Sequence, residues 1–359
     1  MAYTTIDDPS VYFQAKIYTG TGSSQAYTND GNSDLQPDWW WGKERDDTPD
    51  YHMYDSNRGT TKRLKTNGTD AEDTVGTGLT AFGSDGFTLG SSGSINGSND
   101  LYVAWQWKAN GGTATATGSE SGNNPAYSAQ ANQTAGFSII TYTGTGAEGD
   151  VTHGLGGKPD WIITKNRDES SDSNWVVWHK DMVDADADNG AYIYLNTTGQ
   201  DQATSVYYEG DAISSTVVAF KGGNQNTNKN DIKYVMYCFR SIQGYSKFGK
   251  YTGNANVDGA FVYTGFKPAF VLTKKIDNTS NWHLSDNKRG TFNPVSAALT
   301  PDQNYAENTT LDQVGIDFLS NGFKCRGTND TQNGSNDYIY MCFAESPFVS
   351  SEGVPTTAR

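Results

Sequence analysis

A threefold internal repeat constrains this chain more than any other feature, because self-similarity means that one structural solution is used several times over. Three marks recur in the same order. The first is Tyr-Thr-Gly, at Tyr18-Thr19-Gly20, Tyr142-Thr143-Gly144 and Tyr251-Thr252-Gly253, with a further copy at Tyr263-Thr264-Gly265. The second is a proline leading into an apolar triplet, a small residue and a lysine: Pro37 to Lys43, Pro159 to Lys165 and Pro268 to Lys274. The third is an aromatic closing run, beginning at Tyr102, Tyr234 and Tyr338. The spacing from each proline to its closing tyrosine is nearly constant, so each unit has the size of an ordinary domain rather than of a short solenoid repeat.

The chain has 359 residues, more than one hydrophobic core usually serves. Its 15 Phe, 21 Tyr and 9 Trp outnumber the 26 Lys plus Arg, which provides core volume despite few aliphatic residues. Within a unit the apolar pattern has period two or is continuous, bounded by Gly, Asn and Asp clusters, as in Phe137 to Tyr142, Trp175 to Trp178 and Ala191 to Leu195. That pattern predicts strands. Many short strands with turn residues between them predict an all-β chain of three tandem antiparallel β-sandwich domains of jelly-roll type, over residues 1–110, 134–247 and 248–359. Residues 111–133 are rich in Gly, Ser, Thr and Asn and read as a linker, with domain one joined more loosely than domains two and three are to each other. The triplet Trp39-Trp40-Trp41 lacks polar alternation, so a central strand covered on both faces, or a strand at a domain contact, is expected there.

A net charge of −15 repels a phosphate backbone, so no nucleic-acid partner is expected. No apolar run reaches the length of a membrane span, and the first residues lack the basic and apolar regions of an export signal. Cys238, Cys325 and Cys342 cannot all pair, and Cys238 and Cys342 lie in closing strands where buried free thiols are expected.

Chemistry-bearing residues are few. His52 and His283 each precede an aspartate by three residues, Asp55 and Asp286, with Ser56 and Ser285 nearby, an arrangement that invites a triad reading. The middle unit has Trp178-His179-Lys180-Asp181 instead, and there is no Gly-x-Ser-x-Gly elbow. A structural reading is preferred: Asp-x-x-Arg-Gly-Thr occurs twice, so Asp55 with Arg58 and Asp286 with Arg289 are expected to pair and hold a turn. Asp184, Asp186 and Asp188 alternate as in a calcium loop, but Leu195 stands where a bidentate Glu belongs, and a solvated acidic loop is favoured. Among the aromatics, those in strands read as core, leaving Tyr207, Tyr208 and Tyr305 as the candidates for a carbohydrate contact. No cofactor is expected.

The opening Met1 to Ser10 with Phe13, the Pro-Asp-Trp units with their lysine, the Asp85-Gly86-Phe87 and Asn321-Gly322-Phe323 turns and the closing Gly353 to Arg359 resemble virion proteins of marine tailed bacteriophages over essentially the full chain. The resemblance implies concanavalin A-like or SPRY-like sandwiches carried on the capsid exterior or in tail appendages. It implies a non-enzymatic fibre, appendage or decoration subunit at the virion surface, present in multiple copies beside other capsid or tail proteins and contacting host-surface glycan. A purely structural component and a glycan depolymerase are the alternative classes. The second unit lacks both Asp-Gly-Phe and Asp-x-x-Arg-Gly, so a ligand loop common to the other two is not expected there.

Overall fold

The computed structural model describes residues 2–182, 188–310 and 315–357. The chain is all-β, with antiparallel pairing throughout the named strands. Each unit is built on one large sheet with a common order: an edge strand, the closing strand, the proline-led central strand and a return strand. In unit one these are Phe13–Thr19, Leu101–Trp107, Trp39–Glu44 and His52–Asp55. In unit two they are Phe137–Thr143, Lys233–Phe239, Trp161–Asn166 and Val176–His179, and in unit three Ser246–Thr252, Asp337–Pro347, Phe266–Lys275 and Trp282–Asp286. A small sheet of two or three strands covers the outer face of each large one and completes a sandwich, with a separate outer core beneath it.

Register shows the units to be one solution used three times. Trp39 faces Trp107 and Asp55 across the central strand of unit one, Trp161 faces Phe239 and His179 in unit two, and Phe270 faces Phe343 and Asp286 in unit three. The tyrosine of each first Tyr-Thr-Gly stacks on its closing tyrosine: Tyr18 on Tyr102 at 5.1 Å, Tyr142 on Tyr234 at 5.0 Å and Tyr251 on Tyr338 at 5.1 Å. The glycine of the motif is a matter of space. A Cβ at Gly20, Gly144 or Gly253 would lie 2.0, 2.3 or 2.1 Å from a backbone carbonyl oxygen, so no larger side chain fits without moving the chain.

The period-two alternation of the central strands sends side chains to two different cores. Trp39 and Trp41 point inward and Trp40 outward; Trp161 and Ile163 point inward and Ile162 outward; Phe270 and Leu272 point inward and Val271 outward. The inward sets of all three units meet in one central core. Trp39 stacks on Tyr237 at 4.9 Å, Trp107 meets Phe270 edge-on at 5.6 Å and Trp161 meets Trp282 at 6.0 Å. Three sandwiches around a shared core is therefore the arrangement, and unit one is bound into it as fully as the other two.

The linker reading of residues 111–133 is corrected. Ala116–Gly118 and Tyr127–Asn132 are strands that extend the large sheet of unit two, the second paired along the whole edge strand Phe137–Thr143. Small side chains let this hairpin lie flat against the edge, and its hold comes from backbone hydrogen bonds, which composition does not reveal.

Candidate functional sites at the junctions between units

The end of each return strand lies at a junction. Asp55 receives hydrogen bonds from Arg58 Nε at 2.5 Å and from the Tyr237 hydroxyl of unit two at 2.6 Å. Asp286 receives them from Arg289 Nε at 2.6 Å and from Trp105 Nε1 of unit one at 2.9 Å. By register Trp105 and Tyr237 occupy the same place in their units, so one joint is built twice. Both aspartates and both arginines are fully buried. Burial raises the Asp286 carboxyl, but Arg289 and the N–H donors outweigh it and hold the group below the usual carboxylate range.

A second carboxylate completes each joint. Glu72 takes Arg58 of its own unit at 2.9 Å and Arg167 of unit two at 2.9 Å; Glu307 takes Arg289 at 3.0 Å and Arg45 of unit one at 2.9 Å. Backbone bonds fix the equivalence: Glu72 N donates to Arg167 O, Glu307 N to Arg45 O and Asp201 N to Ile276 O. The junction of units two and three thus carries the same joint with different contents. His179 replaces the aspartate, Met182 the arginine, Met341 the donor and Ile276 the second arginine, all buried. Asp201 is left without a cation of that set, and burial, with Asp277 adding and Lys250 opposing, pushes its carboxyl up to about 6.

The lysine that ends each central strand is also buried. Lys165 Nζ donates to Thr69 O of unit one at 3.0 Å and to Ser173 O at 2.6 Å, and Lys274 Nζ to Thr198 O of unit two at 3.0 Å, so both tie neighbouring units together. Lys43 Nζ stays within its unit, on Glu44 O and Asp47 O. Burial lowers these ammonium groups to about 7 for Lys165 and about 8 for Lys43 and Lys274.

The triad does not assemble. Residues three apart on a strand face opposite ways: Asp55 and Asp286 are turned to the junctions, while His52 is buried and, among the described residues, neither ring nitrogen has a hydrogen-bond partner. His283 Nε2 lies 3.2 Å from Ser285 Oγ, but Asp286 is turned to Trp105 and Arg289. Burial drives His52 and His283 down to about 3. Of the calcium candidates, Asp184 and Asp186 lie outside the described residues, and Asp188 is bound by Ser205 and by Lys221 at 2.9 Å. The surface role expected of Tyr207 and Tyr208 is corrected. Both are buried in the outer core of unit two, Tyr207 bonded to Tyr194 at 2.6 Å and Tyr208 to Thr164 at 2.8 Å, because the loop carrying them folds over the sheet. Tyr305 is 53 % exposed. Cys238, Cys325 and Cys342 are free and buried.

Beside each joint runs a cleft between neighbouring units. At the junction of units one and two it is filled by the Tyr127–Asn132 strand: Gln130 Nε2 donates to Ser56 Oγ at 2.7 Å, and Asn57 Nδ2 to Ser128 O at 3.0 Å. The equivalent cleft between units three and one is open, about 490 Å³, and is lined by Phe13, Ala15, Asn287, Lys288 and Glu345 among others. The one between units two and three, about 530 Å³, includes Lys180, Ser246, Lys247 and Phe248.

The model of a family described as a domain of unknown function (DUF7483) matches residues 8–347, a span that takes in all three units and every joint. The chain belongs to that family. A single match over this span agrees with one shared core: the DUF7483 domain is here the whole three-unit body rather than one sandwich of it. Comparison with curated proteins returns no match. The joints themselves were half legible in the sequence, since Asp-x-x-Arg marked one side of two of them. Tyr237, Trp105, Glu72 and Glu307 carried no local signal, because their partners lie in other units or across long loops.

Proposed function

We propose that this protein is a non-enzymatic structural subunit of a tailed-phage particle, displayed at the virion surface in multiple copies beside other capsid or tail proteins. The observation that carries the non-enzymatic part is where the reactive groups go. The paired Asp and Arg, all four histidines, the three thiols and the three repeat lysines are each buried and engaged in holding the fold or packed within it. A reaction pocket needs such groups convergent on a space that substrate can enter. Rigid sandwiches locked around one core suit a displayed part that must keep its shape. The virion assignment rests on the resemblance of the two ends and of the Pro-Asp-Trp units to phage virion proteins. A contact with host-surface glycan belongs to the same proposal and rests on exposed loop aromatics such as Tyr305.

The test is direct. Antibody raised against the purified chain should label intact particles in electron micrographs, and the chain should appear in the protein profile of gradient-purified virions. Its absence from particles overturns the virion reading. Release of reducing ends from host polysaccharide by the purified chain would overturn the non-enzymatic part and favour a depolymerase, which needs paired carboxylates in an open groove.

A further inference from the structure

We infer that the open cleft between units three and one is a docking site for an extended strand of another polypeptide, which adds to the free edge of Phe13–Thr19. The chain itself shows what such a cleft holds. Three equivalent clefts flank the central core, and in one of them an extended segment is already seated, the Tyr127–Asn132 strand. Its residues are small apart from Tyr127, Asn132 and Gln130, the last of which reaches Ser56 and accepts from Asn110 N at 3.2 Å and Gly112 N at 3.1 Å.

The correspondence is residue by residue. Phe137, Ile139 and Thr141 in the covered edge strand match Phe13, Ala15 and Ile17 in the open one, because Phe137 faces Phe239 as Phe13 faces Trp107. Ser56 and Asn57, which grip the seated strand, match Asn287 and Lys288, which line the open cleft. Pairing parity matches too. Lys108 N donates to Tyr12 O and Gly20 N to Asp100 O, so even-numbered residues of the edge strand bond to the closing strand and Ala15 and Ile17 turn their N–H and C=O outward. Among the described residues no hydrogen bond reaches those outward groups of Ala15 and Ile17. Ile17 is 39 % exposed on this edge. Phe13 and Ala15 lie deeper, at the buried floor of the cleft, and an unpaired edge running from there to an exposed isoleucine is a template for pairing unless something covers it.

The third cleft differs. There Ile242 N donates to Ser246 O and Ser246 N to Ile242 O, and Ser241 Oγ accepts from Phe248 N, so the chain's own turn caps the start of the edge. A second copy of this protein is a poor source of the missing strand, because its hairpin already fills its own cleft. The occupant is therefore a different polypeptide offering a small-residue extended segment with a glutamine or asparagine toward the cleft. The inference rests on the virion reading only for where that partner would be met.

A synthetic peptide of residues 125–133 serves as the probe, added to the intact chain. Its own counterpart is held intramolecularly at high effective concentration, which leaves the open cleft as the free site. Saturable binding is expected by calorimetry, with slowed amide exchange at Ala15 and Ile17. Thr143 N donates to Ala126 O in the covered cleft, so Ser128 and Gln130 are the residues that exchange bonds with the edge. Methylating the peptide nitrogens of Ser128 and Gln130 should weaken binding by about tenfold or more, while methylating Ala129 should leave it nearly unchanged. No saturable binding, equal effects of the two methylation patterns, or protection away from Ala15 and Ile17 overturns the inference. None of these readouts involves the particle, so failure here and failure of the virion reading are separate results.

Discussion

Asp201 occupies the place that Glu72 and Glu307 fill at the other two junctions, yet Ile276 and Met182 stand at the positions where those junctions have arginines. A half-buried carboxylate whose desolvation outweighs the pull of Lys250 titrates high, and its folded value of about 6 lies above the ordinary value of 3.8. Between those two values the folded chain holds a proton that the unfolded chain has released. The stability due to this group is therefore fullest below about pH 4 and is lost as pH rises through about 6. Asp201→Asn should then melt higher than the native chain at pH 8, by about 1 kcal/mol once solvent screening is allowed for, and equal it near pH 3. Thermal melts across that range check it; an equal difference at both ends refutes it. The ion-paired joint is tested by breaking its pair. Arg58→Met strands the buried Asp55 carboxylate and should cost about 3–5 kcal/mol in chemical denaturation. Adding Asp55→His and Tyr237→Met supplies three of the four residues that distinguish the joint between units two and three, leaves Arg167 paired with Glu72, and should recover more than half of that loss.

At the scale of strands and turns, what the sequence disclosed depended on whether a side chain or a backbone carried the information. The Pro-led triplets, the closing aromatics and the Tyr-Thr-Gly turns were legible because each requires particular side chains, Trp161 in a core or Gly144 against the Lys229 carbonyl. Gly144→Ala should be destabilising, outweighing the roughly 0.5–1 kcal/mol that alanine ordinarily gains over glycine, because its Cβ would lie 2.3 Å from that oxygen and the turn must open. Gly199→Ala makes the control, since the nearest atom there is a threonine hydroxyl at 3.4 Å. Similar melting losses for the two would mean that the turn yields easily. The Ala116–Gly118 and Tyr127–Asn132 strands were illegible for the complementary reason: a strand held by an edge ladder needs no pattern of large side chains, and its composition coincides with that of a flexible linker. Tyr207 and Tyr208 misled because polar, turn-rich surroundings also describe a loop folded back over a sheet.

For the molecule as a whole, the shared core decides how the chain folds. Each large sheet buries one face only against the other two units: Trp39, Trp41, Trp105 and Trp107 from unit one, Trp161, Ile163, Tyr237 and Phe239 from unit two, Phe270, Leu272, Met341 and Phe343 from unit three. A unit cut free would expose that whole face, a patch far larger than soluble monomers tolerate. It would also strand buried charges, since Asp55 and Asp286 each take a donor from a neighbouring unit and Lys165 and Lys274 each take a carbonyl from one. Three tandem sandwiches with independent cores would melt in separate steps and survive separation. Here a single cooperative transition is expected, with fluorescence from the buried tryptophans and far-ultraviolet dichroism changing together, and with calorimetric and van't Hoff enthalpies in agreement. Residues 134–247 produced alone should be aggregated or unfolded. Trp161→Ala, which opens the common core from unit two, should lower the midpoint of the entire transition, at a cost of about 3–5 kcal/mol, rather than split off one unit. Two or three resolved transitions in the native chain, or a soluble and folded 134–247 fragment, would show the core to be an interface between finished domains instead of the one core that finishes them.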